Sequence, residues 1–329
     1  MFGGLQANAL SQIEIARSLI ANYEEIQQAQ PPERRGAIKV YAVASCVTRI
    51  YAIYEHFVET VLSDFLDSIP ELLPYSKLSE GLKKEYRFGI SHILGKIDAD
   101  RYSHLTHENV ILWYHEAVSN APKYRFVTEA LTRHDNNLRL NIVENLVSRL
   151  DLSGLREWLS RSERIVTLYQ EQSAIAEQLE AELRAFIQLR NDAAHGNLLT
   201  LEGRDNLERY CDLISALIEA LAGYLSRNLL LHRVNAGKSK RLGVVTEVFA
   251  KKNAFVVQLD AGSELTCGLP IHIISSTQYH SDAIVSIQID GEDVDQVTAD
   301  RQAFEVGLRC KANPKRNVEL YVDMYPSSG

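Results

Sequence analysis

The stretch VASCVTRIYAIYEHFVETVLSDF, residues 43–65, decides the fold of the first part of the chain. Its apolar residues recur at spacings of three and four, which places them along one face of a helix of about seven turns. They are Val43, Val47, Ile50, Tyr54, Phe57, Val61 and Phe65. Prolines at positions 31, 32 and 70 flank the stretch. Because one apolar face needs partner helices to cover it, the sequence predicts a helical bundle.

Two later segments supply further helices of this bundle. The stretch from about residue 160 to about residue 190 is rich in Glu, Gln, Ala and Leu and contains no Pro or Gly, as in a helix with a solvated face. A second apolar stripe follows position 200 and comprises Leu207, Tyr210, Cys211, Ile214, Leu217, Ile218, Leu221 and Leu225. Between residues 70 and 150, helical patterns alternate with Pro, Gly and Asn. We therefore expect a helical domain over residues 1–232, with residues 70–150 as an elaboration of the bundle.

The pattern changes near residue 233. The segment RVNAGKSK, residues 233–240, is polar and basic, as in a short exposed linker. Beyond it, runs rich in Val, Ile and Phe alternate with turn-forming residues. These runs are GVVTEVF, AFVVQLD, TCGLPIHII, AIVSIQID, FEVGL and VELYVDM. The predicted fold class is therefore α+β: an N-terminal all-α helical bundle followed by a small C-terminal antiparallel β domain, a barrel or sandwich, over residues 233–329.

Composition narrows the classes of function. The 329 residues carry a formal net charge of −8, which argues against a surface that attracts nucleic acid everywhere but allows one local cationic cleft. The four cysteines are far apart, so neither a disulfide framework nor a zinc site is expected. No stretch approaches 18 consecutive apolar residues and the N-terminus lacks a signal-peptide pattern. We expect a cytoplasmic protein that does not associate with a membrane and binds no metal or cofactor.

The segment RNDAAHG, residues 190–196, has the strongest chemical signal. Arg190 offers a fixed cation that can bind a phosphate, and His195 offers an imidazole that can transfer a proton near neutral pH. The same R-x-x-x-x-H spacing also starts at Arg87 and Arg227, but the segment from Arg227 has three leucines in its interior. In RNDAAHG the alanines and the glycine leave room for a ligand or a second chain. The alternative interpretation is a polar connection between two helices. Context, rather than spacing, favours Arg190 and His195 as a site.

The geometry of a helix restricts how these two side chains could cooperate. Five residues at about 100° each put Arg190 and His195 about 140° apart on an uninterrupted helix. Convergence on one phosphate then needs a local break in the helix or a second subunit. A two-fold dimer would bring two arginines and two histidines into one cleft.

Three segments in order along the chain carry a family resemblance. They are SCVTRIYAIYEHFVE at 45–59, RHDNNLRLNIVENLVSRLDL at 133–152, and RNDAAHG at 190–196 with its Arg, Asn and His. Together they resemble the RiboL-PSP-HEPN group of the HEPN superfamily, ribonucleases of prokaryotic conflict and phage defence. The resemblance covers roughly residues 5–230 and implies that the all-α domain is a HEPN-like bundle. The β domain resembles no family that we identify.

The resemblance implies a homodimer with metal-independent endoribonuclease activity, acting as a toxin or an anti-phage defence effector. Arg190 and His195 would be catalytic, Asn191 would position them, and Glu55 is the candidate orienting acid. His195 would assist attack of the ribose 2′-hydroxyl on phosphorus while Arg190 stabilises the added charge, leaving 2′,3′-cyclic phosphate ends. RNA, such as tRNA or mRNA, is the expected substrate, and an antitoxin or a sensor protein is an expected partner.

Two other functions stay open. The acidic composition and the unassigned β domain also fit a non-catalytic HEPN scaffold, or an RNA-binding partner subunit of a defence complex. A third reading is a metal-dependent enzyme built on the histidines between residues 92 and 134. These histidines lack a zinc-ligand pattern, so each is interpreted as a surface or buried polar residue.

Overall fold

The computed structural model describes residues 1–170, 173–196, 202–300, 303–312 and 314–324. It contains two compact units. One is a helical unit of residues 2–225, and the other comprises Met1 and the chain from Ser226 onward. The division falls inside one continuous helix, α10 (Arg204–Asn235). Each unit is described by itself below.

The helical unit is built from α-helices and short 3-10 turns. Besides α10, the helices are α1 (Gly3–Gln28), α2 (Pro32–Ser68), α3 (Glu80–Leu94), α4 (His107–Val118), α5 (Glu129–Thr132), α6 (Leu140–Arg149), α7 (Leu155–Arg161), α8 (Glu163–Leu168) and α9 (Ile175–Ala194). Short 3-10 turns lie between α2 and α3 and between α3 and α4. The long helix α2 packs against both α1 and α9. The predicted helical bundle is confirmed.

The periodicity of residues 43–65 is confirmed by the burial of α2. Every member of the predicted apolar stripe, from Val43 to Phe65, is buried. The helix begins at Pro32, where the missing N–H of proline costs no helical hydrogen bond. A 3-10 turn that contains Pro70 follows its end. The second stripe lies on α10, where all its members except Tyr210 are buried.

The prediction of one helix from about residue 160 to about residue 190 is wrong. Helix α7 ends at Arg161, α8 ends at Leu168, and α9 begins at Ile175. Ser162 has extended backbone angles, and Gln170 and Ala174 have positive φ values. Residues other than glycine rarely adopt a positive φ, so nothing in their side chains indicated the break.

Residues 70–150 contain α3 to α6 and form an aromatic cluster of their own. The rings of Tyr75, Tyr86, Tyr124 and Phe126 meet edge to face or tilted, with centroids 5.0–6.3 Å apart. Helix α3 also approaches the backbone of α5, because Gly89 lies against Ala130 where a side chain would clash. This packing brings α3 and α5 together.

The second unit is antiparallel β, as predicted. Its described strands are β1 (Ser239–Phe249), β2 (Ala254–Leu259), β3 (Glu264–Thr266), β4 (Pro270–Ile274), β5 (Tyr279–Ala283), β6 (Ser286–Ile289), β7 (Glu292–Val294), β8 (Gln296–Thr298), β9 (Phe304–Arg309) and β10 (Glu319–Asp323). One sheet has the order β5-β4-β10-β1-β2-β9-β6-β7, and β3 pairs with β8 in another. The six predicted runs contain β1, β2, β4, β6, β9 and β10, whereas the remaining strands are short or polar and were not predicted.

The segment predicted as an exposed linker, residues 233–240, is mostly part of regular structure. Helix α10 extends to Asn235 and β1 begins at Ser239. Arg233 and Ser239 both donate hydrogen bonds to the carboxylate of Asp323 at the end of β10. Only residues 236–238 connect the helix to the sheet.

Among the described residues, two helices are long and apolar enough to cross a membrane by length and composition alone. One is α2 with the 3-10 turn that follows it, and the other is α10. Core helices of folded proteins meet the same criterion, and 78% of the most apolar window of α10 is buried within the protein. The corresponding window of α2 is 33% buried, although its apolar stripe belongs to the core of the helical unit.

Candidate functional site

Helix α9 positions Arg190 and Asn191 near its C-terminal end. Its buried residues include Leu183, Phe186 and Ile187. Arg190 follows these residues by seven, four and three positions, so it extends the buried face of the helix. The helix ends at Ala194, and Gly196 then adopts a φ of 72°, the left-handed conformation that commonly ends helices.

The guanidinium of Arg190 is held by one aromatic ring and two neutral amides. Its Cζ lies 4.3 Å from the ring centroid of buried Tyr51. Its Nη1 donates to Oδ1 of Asn137 at 3.3 Å and to Oδ1 of Asn191 at 3.1 Å, and Asn137 also donates to Asn191 at 3.2 Å. Within the described residues no carboxylate pairs with Arg190, and its buried Nε has no hydrogen-bond partner. The positive charge is therefore fixed in place without a direct counter-ion from the described parts of the chain.

Tyr51 connects Arg190 to Glu55. The Tyr51 hydroxyl accepts the N–H of Leu138 at 3.1 Å, and it lies 3.0 Å from Oε1 of Glu55 and 3.4 Å from Oδ1 of Asn137. Burial raises the pKa of Tyr51 well above its ordinary value, so the hydroxyl stays protonated and can donate. Glu55 thus reaches Arg190 through Tyr51 rather than directly. We call Tyr51, Glu55, Asn137, Arg190 and Asn191 the Arg190 cluster.

His195 lies outside this cluster. It is exposed, and its imidazole has no hydrogen-bond partner within the described parts of the chain. Its backbone N–H donates to the carbonyl of Asn191 at 3.0 Å, which continues the helical pattern. The local break that would turn His195 toward Arg190 is therefore not seen up to Ala194. Residues 197–201 lie outside the described residues.

Sequence reasoning missed Tyr51 and Asn137. Tyr51 belongs to the apolar helix around residues 43–65, where an aromatic side chain looks like ordinary core. Asn137 belongs to the quoted segment RHDNNLRLN, but it is 53 positions from Arg190, and only the fold brings the two together. The double asparagine in an otherwise helical context was the available signal.

A polar cleft adjoins the cluster and was not predicted either. Its volume is about 290 Å³, and its lining comprises His92, Arg133, His134, Asp135, Asn136, Ile142, Asn145, Leu146 and Arg149. We call it the arginine–histidine cleft. A second cleft of similar volume shares Asn136 and Ile142 with it and includes Asn137, which belongs to the Arg190 cluster. The two clefts and the cluster are thus adjacent around one segment.

His134 lies between two hydrogen-bond acceptors. Its Nε2 lies 3.0 Å from Oε1 of Glu59 and its Nδ1 lies 2.9 Å from the carbonyl oxygen of Asn136. Because both ring nitrogens face acceptors, the protonated imidazolium satisfies both contacts. The hydrogen bond with Glu59 raises the pKa of His134, and the same bond lowers the pKa of Glu59.

Comparison with solved structures finds partial similarity. Two crystal structures of the C-terminal domain of a predicted U32 peptidase from Geobacillus thermoleovorans match, one of them a selenomethionine variant. They share 16% and 15% identity with this chain, and each match has a TM-score of 0.22. The matches cover 25% and 26% of this chain and 96% and 91% of those chains. These similarities establish neither fold nor function.

Comparison by sequence gives a broader match. No curated protein matches the chain. The family model described as RiboL-PSP-HEPN matches residues 11–227, which is more than half of the chain and includes the whole Arg190 cluster.

Proposed function

The chain belongs to the RiboL-PSP-HEPN family, and from this premise we propose that it is a metal-independent endoribonuclease acting as a toxin or anti-phage defence effector. The observation that carries the proposal is the guanidinium of Arg190, fixed by Tyr51, Asn137 and Asn191 and without an ion-paired carboxylate among the described residues. A fixed cation that lacks a counter-ion suits a phosphate whose negative charge increases during reaction. His195 supplies a titratable group five residues later.

The proposed reaction needs one base and one acid. One His195 imidazole accepts the proton of a ribose 2′-hydroxyl, and the 2′-oxygen forms a bond to the adjacent phosphorus. The bond from phosphorus to the 5′-oxygen breaks, and a second, protonated His195 gives the leaving oxygen a proton. Arg190 stabilises the charge on the non-bridging oxygens. The products are a 2′,3′-cyclic phosphate and a 5′-hydroxyl.

A homodimer would supply the second histidine. Helix α9 is continuous up to Ala194, so Arg190 and His195 extend in different directions from one helix. A two-fold axis near the ends of two α9 helices would bring the arginine of one copy near the histidine of the other. We propose this composite site in the cytoplasm, with an antitoxin or sensor protein restraining it.

Within this arrangement three other residues act as positioning residues. Asn137 and Asn191 hold the guanidinium by their side-chain oxygens. Glu55 holds the hydroxyl of Tyr51, whose ring lies against the guanidinium. Together they fix Arg190 before RNA arrives, which avoids reorganisation during the reaction.

A second function is favoured by the state of His195. Catalytic histidines are usually oriented by a hydrogen bond to their second ring nitrogen, and His195 has no such partner in the described part of the chain. The alternative proposal is a non-catalytic HEPN scaffold, or an RNA-binding partner subunit of a defence complex.

The deciding experiment compares wild type, His195→Ala and His115→Ala on total RNA and tRNA in EDTA, with mapping of the fragment ends. His115 is the matched control because it is also exposed and also lies at the C-terminal end of a helix. We expect cyclic phosphate ends from wild type and His115→Ala only. Cleavage that persists in His195→Ala contradicts the proposed catalysis. RNA binding by wild type without cleavage supports the scaffold.

A further inference from the structure

The arginine–histidine cleft contains two cations that share one distant carboxylate. Arg133 Nη2 lies 3.8 Å and Arg149 Nε lies 3.9 Å from the same oxygen of Glu85. Their side chains are 17% and 27% exposed, so water screens them only in part. By contrast, Arg156 in the same unit bonds two carboxylates at 2.9 Å, those of Glu144 and Glu180. Arg133 and Arg149 lack such complete compensation.

The remaining charges of the cleft are already paired. His134 is paired with Glu59 at 3.0 Å, and Asp135 is 3.4 Å from Arg101. The two arginines carry two positive charges and Glu85 carries one negative charge, so a net positive charge is left. Burial lowers the pKa of Arg149, and the charge of Arg133 lowers it further. The binding of an anion in this cleft is therefore favourable.

The two arginines also have a structural task, which must be separated from binding. Arg149 Nη1 donates to the carbonyl of Arg133 at 2.6 Å and lies 3.4 Å from that of Leu131, and Arg133 donates to the carbonyl of Ala130. These bonds satisfy carbonyl groups at the end of α5. Each guanidinium has five N–H donors, which is more than these bonds use.

The position of the cleft relates it to the proposed active site. Asn136 lines the cleft, and the next residue, Asn137, bonds Arg190. Consecutive Cα atoms lie about 3.8 Å apart, so the cleft and the Arg190 cluster are separated by roughly one residue of chain. The second cleft, which Arg139 and Asn141 also line, joins them.

We infer that the arginine–histidine cleft is a second phosphate site, which binds a backbone phosphate of the same RNA strand whose scissile phosphate lies at Arg190. Arg133 and Arg149 are the binding residues, and His92 lies in the lining beside them. The inference rests on the proposed function in that RNA is the ligand, but it requires binding rather than cleavage. Because only phosphate is contacted, this site would fix the position of the strand and not read its sequence.

The test measures RNA affinity against salt concentration in a His195→Ala background, where the RNA stays intact. For single strands, the slope of log K against log salt changes by about 0.7 for each neutralised phosphate. We expect Arg133→Gln with Arg149→Gln to reduce the slope by about that amount and to weaken binding about tenfold at low salt. Arg161→Gln, which removes one exposed cation of α7 paired with Glu157, should leave the slope unchanged.

A second pair of variants separates binding from folding. Arg149→Lys keeps the charge and should retain most of the slope. His92→Glu leaves the arginine–carbonyl bonds intact and adds a carboxylate to the cleft, so it should weaken binding without lowering the melting temperature. Unchanged RNA affinity in His92→Glu and in the double glutamine variant would overturn the inference.

The outcomes also distinguish this inference from the proposed catalysis. If wild type binds RNA without cleaving it and the cleft variants reduce the slope, the cleft inference stands and the catalytic proposal fails. If wild type cleaves and the cleft variants bind with the wild-type slope, the cleft inference alone fails. If wild type binds no RNA, both fail.

Discussion

The Arg190 cluster and the surroundings of Asp323 are two partly buried charged sites that differ in how the charge is compensated. Arg190 contacts the ring of Tyr51 and two neutral amides. Asp323, in the β unit, accepts hydrogen bonds from Ser239 at 2.6 Å and Arg233 at 3.1 Å and lies 3.4 Å from His272. The charge of Arg190 is held in place, but no described carboxylate neutralises it. The charge of Asp323 is compensated by hydrogen bonds and cations within the β unit. The first arrangement suits a ligand, and the second suits stability.

The pKa of Asp323 expresses the same difference. Burial acts to raise it, but the hydrogen bonds from His272 and Ser239 and the charge of Arg233 bring the pKa of Asp323 far below its ordinary value. A carboxylate stabilised so strongly contributes to folding over the whole neutral range. We therefore expect changes at Arg190 to affect activity and changes at Asp323 to affect stability.

The largest expected effect is that of Arg190→Ala on RNA cleavage. Loss of a fixed cation at the reacting phosphate should lower kcat/KM by about 10³-fold, as for other transition-state donors. Arg190→Lys should recover little of this loss, because lysine lacks the planar group that lies on Tyr51 and bonds two amides. Stability should fall by only about 1 kcal/mol, from the lost hydrogen bonds of two amides.

Arg184→Ala is the control for that change. Arg184 lies on the same helix but is 64% exposed and pairs with Glu180. Its replacement should leave both cleavage and the free energy of unfolding near their wild-type values. Equal loss of activity in the two variants would show that Arg190 acts only through helix α9.

The converse change, Asp323→Asn, should affect stability most. It leaves Arg233 and His272 facing a neutral amide, and breaking one side of a partly buried charge network should lower the free energy of unfolding by about 2 kcal/mol. Denaturant unfolding monitored on the β unit measures this effect. Asp293→Asn, on an exposed position of β7, is the control. A decrease in cleavage by folded Asp323→Asn, without a change in stability, would contradict the comparison.

The sequence predicted the fold class because period and composition are local properties. The stripe from Val43 to Phe65 repeats with helical spacing, and all of it is buried in α2. The strands that were predicted are the apolar ones, such as β2 and β9, which pair over their whole length. A strand such as β7, Glu292–Val294, is too short and polar to show a period in its sequence. It is a strand only because it pairs with β6.

The candidate site was predictable only in part, since its chemistry comes from distant segments. RNDAAHG identified Arg190, Asn191 and His195 as candidates, and the helix 43–65 included Glu55. What fixes Arg190 is Tyr51 and Asn137, and no local pattern links these residues to α9. The arrangement of His195 relative to a second copy lies beyond one chain, so that part of the site stays a prediction.

The smallest expected effect concerns a third kind of site, in which two titrating groups neutralise each other. The pKa of His134 is raised above its ordinary 6.5, so its part of the stabilisation is full below that pH and is lost as pH rises through the raised value. The pKa of Glu59 is lowered from its ordinary 4.5, so its part is present above that pH and is lost as pH falls through the lowered value. The pair should stabilise the helical unit most between pH 4.5 and pH 6.5, the ordinary pKa values of the two groups.

Glu59→Gln should therefore lower the free energy of unfolding most near pH 5.5 and less at pH 8. The effect should stay below about 1 kcal/mol, because the Glu59 side chain is 44% exposed and water weakens the pair. Glu157→Gln, which removes an exposed partner of Arg161, is the control, since no histidine takes part in that pair. Urea unfolding of all three proteins from pH 4 to pH 9 measures the difference. A Glu59→Gln effect that is constant from pH 5 to pH 9 would mean that His134 does not titrate with Glu59 in this range.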